Sequence, residues 1–218
     1  MSPKVSEAYL EARRNEILEA AYKCFSEKGF HNATMQDIYN TANLSPGAVY
    51  NYFSSKEDIA VATVKKLNDL VMPQLASLSS QSPEKSFEEM INYWLSHLKQ
   101  DYIGNSISIQ LDYFSEATRN SKIRRALLES QATTHALLIE IIKRNQQAGF
   151  IHPELDPLSI ARAVMGLFFG IGIHKLLDPD VDVEAFSKVF KAMLIGTFST
   201  PPKKRVKTVK TKSKRCPA

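Results

Sequence analysis

Three hydroxyl residues, Thr34, Ser45 and Ser54, fall within one short stretch, TMQDIYNTANLSPGAVYNYFSSK, at residues 34–56. Each stands where a helical pattern begins, so each is placed to cap a helix. Thr34 precedes Met35, Ile38 and Ala42, which share one helical face. Ser45 precedes Pro46, the residue best tolerated at a first helical position. Ser54 stands three before Glu57, the spacing of a capping box. Capped helix starts leave backbone N–H groups pointing outward at a positive dipole end, where a phosphate can sit. Catalytic chemistry is harder to find. Ser96-x-x-Lys99 with His97 beside it lacks the further motifs of a serine hydrolase and reads as a helix surface. The five histidines form no H-E-x-x-H or Glu-x-x-His pair, so no metal site and no cofactor are expected. The two cysteines support neither a disulfide framework nor a thiolate site.

These capped starts need elements to hold them. Between the first two lies Ala42-Asn43-Leu44, and Asn is the non-glycine residue best suited to a left-handed turn. Short helix, tight turn and short helix make a helix-turn-helix. Ahead of it, from about Tyr9, the row Ile17, Ala21, Phe25 with Leu18 and Cys24 beside it predicts a helix closed by Gly29. Cys24 on that face reads as a small buried hydrophobe rather than a nucleophile.

The segment ILEAAYKCFSEKGFHNATMQDIYNTANLSPGAVYNYFSSKEDI resembles the DNA-binding domain of the TetR family of bacterial transcriptional regulators. The matching positions are Ile17, Ala21, Phe25, Gly29, Thr34, Ile38, Ser45-Pro46-Gly47, Tyr50, Tyr52-Phe53 and Lys56. Asn43 departs from a common Gly, and Tyr39 from a common Ala. The resemblance implies a recognition helix from Pro46 to Tyr52 in the major groove of double-stranded DNA. Small Pro46, Gly47 and Ala48 would let the backbone approach, with Ala48 near a thymine methyl. Tyr50 and Tyr52 would contact sugar and phosphate, and Lys56 would be a phosphate charge. Val49 and Phe53, four apart, are expected to pack inward. Asn51 is the one amide on this helix, so methyl contacts and DNA shape are expected to carry much of the specificity.

Downstream the pattern stays helical. A helix from Lys56 is expected to kink or end at Pro73, with Gln74–Gln81 as its tail or a connection. Further helices start at Pro83, stopping at Gly104, and at Ser106, Ser121, Asp156-Pro157 and Asp182. No useful period-two alternation occurs, so the expected fold is all-α with about nine helices. Residues 1–55 would form the DNA-binding domain and residues 56–200 an effector-binding and dimerisation domain. Residues 201–218 would form a disordered tail.

The resemblance places a small-molecule effector among the middle helices. Trp94, His97, Tyr113, Phe114, His135 and Phe168 are candidates to line its pocket, with Asn92 and Gln131 as further polar groups. Few charges on these faces point to an uncharged or amphipathic effector. It also makes the last two helices a homodimer interface, with Ala163, Gly166 and Gly170 as a small-residue row beside Phe186 and Phe190. Two recognition helices about 34–36 Å apart would read a pseudo-palindromic operator. The expected protein is a repressor released by its effector.

The net charge of +5 does not itself argue for DNA, because eight basic residues and no acids lie beyond Pro201. The rest of the chain then holds 20 of the 28 basic residues against all 23 acidic ones. The tail supports a rival reading, a non-sequence-specific helical architectural protein that coats DNA. The N-terminus reads as polar, without a signal peptide, and the longest apolar run, Ala163–Ile173, is short for a bilayer. No membrane partner and a cytoplasmic location are therefore expected.

Overall fold

The computed structural model describes residues 6–99 and 102–194. The side chain of His97, the basic tail and Cys216 lie outside the described residues. Among those described there are nine helices and no strands: α1 Glu7–Asn32, α2 Met35–Thr41, α3 Pro46–Tyr50, α4 Lys56–Ser79, α5 Pro83–Lys99, α6 Tyr102–Ala117, α7 Ser121–Gln147, α8 Pro157–Leu177 and α9 Val183–Leu194. The described residues up to Val183 form one compact unit, and those from Glu184 to Leu194 belong to another.

Local chemistry sets most boundaries. The Ser6 hydroxyl caps α1, Asn120 caps α7, and Asp156 accepts from Ser159 N–H at 2.7 Å to cap α8. Helix α1 breaks at Gly29, whose φ of 75° is open to glycine and strained for other residues. Its last turn, Phe30–Asn32, therefore leaves the helix axis and leads into α2.

Two expected boundaries differ, at Ser54 and Gly104, and a third is decided between its alternatives. Helix α4 is capped by Ser55, not Ser54: Ser55 Oγ accepts from Asp58 N–H at 3.2 Å. Pro73 lies inside α4, which continues to Ser79, so of the two alternatives residues 74–79 are the tail of the helix. Leu75 and Leu78 beyond it are buried, and α4 packs on both α5 and α7. Burying two leucines stabilises the last turns by about 3–6 kcal/mol, enough to offset a proline of about 3 kcal/mol. Gly104 does not stop a helix. It lies in the first turn of α6, where a backbone N–H has no helical partner anyway.

The core runs without interruption from the N-terminal helices into the larger ones. Ile17, Ala21 and Phe25 of α1, Ile38 of α2, Val49 of α3 and Phe53 join Ile59 and Ala60 of α4 and Tyr113 of α6. Cys24 is buried among them, 3.3 Å from the Thr41 hydroxyl. Helix α6 packs on α1, α5, α7 and α8, so it touches both the helix-turn-helix region and the middle helices.

Helix α8 is more apolar as a whole than its eleven-residue run indicated. It is long and apolar enough to cross a bilayer by length and composition, with mean hydropathy 1.5, yet only 28% of that window is buried. Arg162, His174 and Lys175 interrupt it.

Candidate nucleic-acid interface and ligand cavity

The start of α2 is fixed by a closed set of hydrogen bonds. Thr34 Oγ1 accepts from Asp37 N–H at 3.1 Å, and Asp37 Oδ2 accepts from Thr34 N–H at 2.9 Å. This is a capping box with Asp in the acidic position. Lys28 Nζ donates to Asp37 Oδ1 at 2.6 Å, and that bond, with those from Thr34, lowers the Asp37 pKa to about 2.

Asn43 takes a φ of 53°, and Leu44 N–H donates back to Tyr39 O at 3.0 Å, closing the tight turn into α3. Ser45 Oγ then accepts from Ala48 N–H at 3.2 Å. Helix α3 ends at Tyr50, with Asn51 as its C-cap, so Tyr52 follows the helix rather than lying in it. Val49 and Phe53 are buried and bolt α3 to the core, and the Arg14 guanidinium sits 5.3 Å over the Phe53 ring.

The outer side of this unit carries Thr34, Ser45, Pro46, Gly47, Tyr50 and Asn51, all exposed. Ala48 and Tyr52 are half-buried, Tyr52 against the core. A Cβ on Gly47 would meet nothing within 4 Å, so packing within the chain does not require glycine there. Gln36 and Asn40 of α2 are also exposed and add two amides that the sequence reading did not single out.

Lys56 differs from expectation. Its Nζ donates to Phe30 O and His31 O, both at 2.9 Å, and to Ala33 O at 3.1 Å. The ammonium also sits 4.7 Å from the Phe30 ring centroid. An ammonium has three N–H donors, and these three carbonyls take all of them. Lys56 clasps the turn between α1 and α2 and has no donor left for a phosphate.

A cavity of about 610 Å³ lies among α4 to α8, within the usual range for small-molecule sites. Five of the expected residues line it: Trp94, Tyr113, Phe114, His135 and Phe168. Trp94 packs on Phe168 at 5.0 Å between ring centroids, and Phe114 on Phe169 at 5.2 Å. Gln131 lines it as well; Asn92 does not. Gly166 and Gly170, expected at a dimer face, also lie on its wall, with no atom within 4 Å of where a Cβ would stand.

Two lining groups are buried without a hydrogen bond, Trp94 Nε1 and Tyr113 Oη. Burial pushes the Tyr113 phenol well above its ordinary pKa, and the nearby Thr63 hydroxyl pulls the other way. That hydroxyl donates to Ile59 O at 2.9 Å, and its geometry towards Tyr113 falls short of a hydrogen bond. His135 is held below its ordinary pKa by burial, with Arg162 adding to the shift.

One helix connects the cavity to the helix-turn-helix unit. Gln110 and Phe114 of α6 line the cavity. Asp112 and Glu116, also four apart, face α1: Asp112 Oδ2 accepts from Phe30 N–H at 2.7 Å, and Glu116 Oε2 lies 3.6 Å from His31 Nδ1. Tyr113 serves both sides. It lines the cavity while its ring packs edge-on against Phe30 at 5.6 Å and Phe25 at 6.2 Å.

Comparison with known proteins matches residues 17–63 to the profile of bacterial regulatory proteins of the tetR family. Residues 102–198 match that of the BetI-type transcriptional repressor C-terminal domain. The HTH-type transcriptional regulator YfiR of Bacillus subtilis is 30% identical over 174 residues, covering 78% of this chain and 82% of that relative. This chain belongs to the TetR family.

Among solved structures, the regulator FadR of Bacillus subtilis in complex with stearoyl-CoA shares the fold with a TM-score of 0.72. Its identity is 22%, over 84% of this chain and 98% of that one. A regulator from Saccharomonospora viridis in complex with choline does so with a TM-score of 0.73 at 22% identity, over 85% and 96%. As a TetR-family member the chain is a DNA-binding transcriptional regulator and not an enzyme. Two features of this TetR-family chain were beyond sequence reasoning. Asp112 meets Phe30 across 82 residues, and Arg162 reaches the cavity wall from a helix that read as apolar.

Proposed function

We propose that this regulator is a homodimeric repressor that binds a pseudo-palindromic operator and is released when a small molecule enters the cavity. Residues 1–55 read the DNA and residues 56–200 bind the effector and dimerise. The observation that carries the reading is the double role of Tyr113, which lines the cavity and packs on Phe30 in the turn leading to α2. A ligand that moves α6 displaces Tyr113 and Asp112 together, and with them the placement of α2 and α3.

On the DNA side, the caps at Thr34 and Ser45 present backbone N–H groups to phosphates. Pro46, Gly47 and Ala48 lie against the groove, and Tyr50, Asn51 and Tyr52 flank them. Lys56 acts through the α1–α2 turn rather than on phosphate. Dimerisation is supported by α8, only 28% of whose apolar window is buried within the chain, and by α9, where Val189 and Met193 are exposed. Phe186 and Phe190 stack at 5.9 Å on the same helix, and with Val189 and Met193 they are the α9 residues proposed for the dimer interface. A regulator of this kind works where its operator is, in the cytoplasm.

The neighbouring regulators hold ligands as unlike as stearoyl-CoA and choline, so the fold does not name the effector. The test is fluorescence anisotropy on a selected operator at physiological salt, with and without a cavity ligand. A coupling of about 1–3 kcal/mol predicts a 5–150-fold loss of operator affinity on ligand binding. Equal affinity with the cavity saturated would refute release by effector.

A further inference from the structure

We propose that the effector is an amphipathic organic anion: a flat or chain-like apolar body carrying one carboxylate-type head, with the head at Arg162. This rests on the reading of the cavity as the effector site and specifies its chemistry.

Among the described lining residues Arg162 carries the one formal charge, and no Asp or Glu lines the cavity. Arg162 is exposed, at the solvent side of the wall, and makes no ion pair with any described carboxylate. A guanidinium presents five N–H donors in a planar fork that fits a carboxylate or similar oxyanion. His135, close enough to feel the charge of Arg162, lines the same wall.

Deeper in, the imbalance repeats. Trp94 Nε1 can only donate, and it is buried without an acceptor. Tyr113 Oη is buried without a partner as well. The lining hydroxyls of Ser130 and Thr134 are already engaged: Ser130 Oγ donates to Asn68 Oδ1 at 3.3 Å, and Thr134 Oγ1 to Ser130 O at 3.2 Å. The lining therefore holds a buried donor without an acceptor, Trp94 Nε1, and one cation; Asp156, outside the lining, feels that cation but makes no ion pair with it. An effector with an anionic, acceptor-rich head answers both. A cationic head would meet Arg162 with no carboxylate in the lining to offset the repulsion.

The walls set the rest of the shape. Arg162 and the Phe168–Phe169 pair are six to seven residues apart on α8, or about 10 Å along the axis. Those rings, with Trp94 and Phe114, form aromatic walls for an apolar body of about that length.

The test uses two fluorescent probes that differ only in the anionic group, 8-anilinonaphthalene-1-sulfonate and its uncharged parent N-phenyl-1-naphthylamine. Each is titrated into the full-length protein while energy transfer from Trp94, the only tryptophan, is followed. The expected result is saturable binding of both, with the sulfonate at least tenfold tighter. Arg162→Gln should remove that preference while leaving the neutral probe's affinity unchanged. Arg119→Gln, which deletes the same charge away from the cavity lining, should preserve it. Equal or tighter binding of the neutral probe would overturn the anion assignment and leave the cavity a ligand site. So would a sulfonate affinity that Arg162→Gln does not change, or that Arg119→Gln lowers equally. No saturable binding of either probe would overturn both the anion assignment and the cavity reading.

Discussion

Phe30 N–H donates to Asp112 Oδ2 at 2.7 Å, tying the turn after α1 to the helix that walls the ligand cavity. The turn owes its shape to Gly29, and a Cβ there would stand 3.3 Å from the same Asp112 oxygen. Asp112→Ala removes the acceptor and leaves a partly buried N–H unpaired, a loss of about 1–3 kcal/mol. For a chain of this size that lowers Tm by about 2–12 °C. Asp112→Asn keeps an acceptor and should lose less than half as much. Differential scanning fluorimetry of the two variants checks the ordering.

Lys56 separates a structural role from a phosphate contact. Because its three donors are occupied by Phe30 O, His31 O and Ala33 O, Lys56→Met should lower Tm and weaken operator binding. The salt dependence should stay unchanged. A phosphate contact would instead reduce the slope of log K against log salt by about one. Operator titrations from 50 to 200 mM salt distinguish the two.

Asp37 has a folded pKa lowered to about 2 by Lys28 and Thr34. The sign follows from a depressed carboxylate. Its contribution to stability is fully present above the unfolded pKa of about 3.9, and it is lost as pH falls from there through about 2. Asp37 should therefore remain ionised at pH 3, where an ordinary aspartate is mostly protonated. A carboxyl carbon NMR titration with a midpoint near 4 would show that the capping box does not hold in solution.

Val189 and Met193 are exposed one turn apart on α9, and only 28% of the apolar window of α8 is buried within the chain. Val189→Glu combined with Met193→Glu should shift sedimentation from dimer to monomer without loss of helical circular dichroism. Operator affinity should fall with it, because two half-sites are no longer read together.

What was legible in the sequence was local. Thr34, Ser45 and Asp156 cap helices because a hydroxyl or carboxylate needs only a backbone N–H two or three residues on. Asn43 takes the left-handed turn for a reason contained in its own side chain. Alternatives stay open in the sequence where tertiary burial outweighs local preference, as at Pro73, and the cap is misplaced where adjacent serines compete, as at Ser54 and Ser55. The cavity residues were readable as aromatics on amphipathic helices. The Asp112–Phe30 bond and the Lys56 clasp join segments separated by 23 to 82 residues, and no spacing rule reaches that far. No motif or spacing around Arg162 singles it out; only the packing of α8 on α6 and α7 gives it a cavity to face.

The most direct test of the central claim is selection of bound duplexes from random-sequence DNA by the full-length protein at about 150 mM salt. The account predicts enrichment of two inverted half-sites with centres about 10 base pairs, or a multiple of that, apart. Asn51→Ala should relax preference at one position in each half. Enrichment of no sequence, with affinity set by salt alone, would contradict it and favour a DNA-coating protein acting through its basic tail.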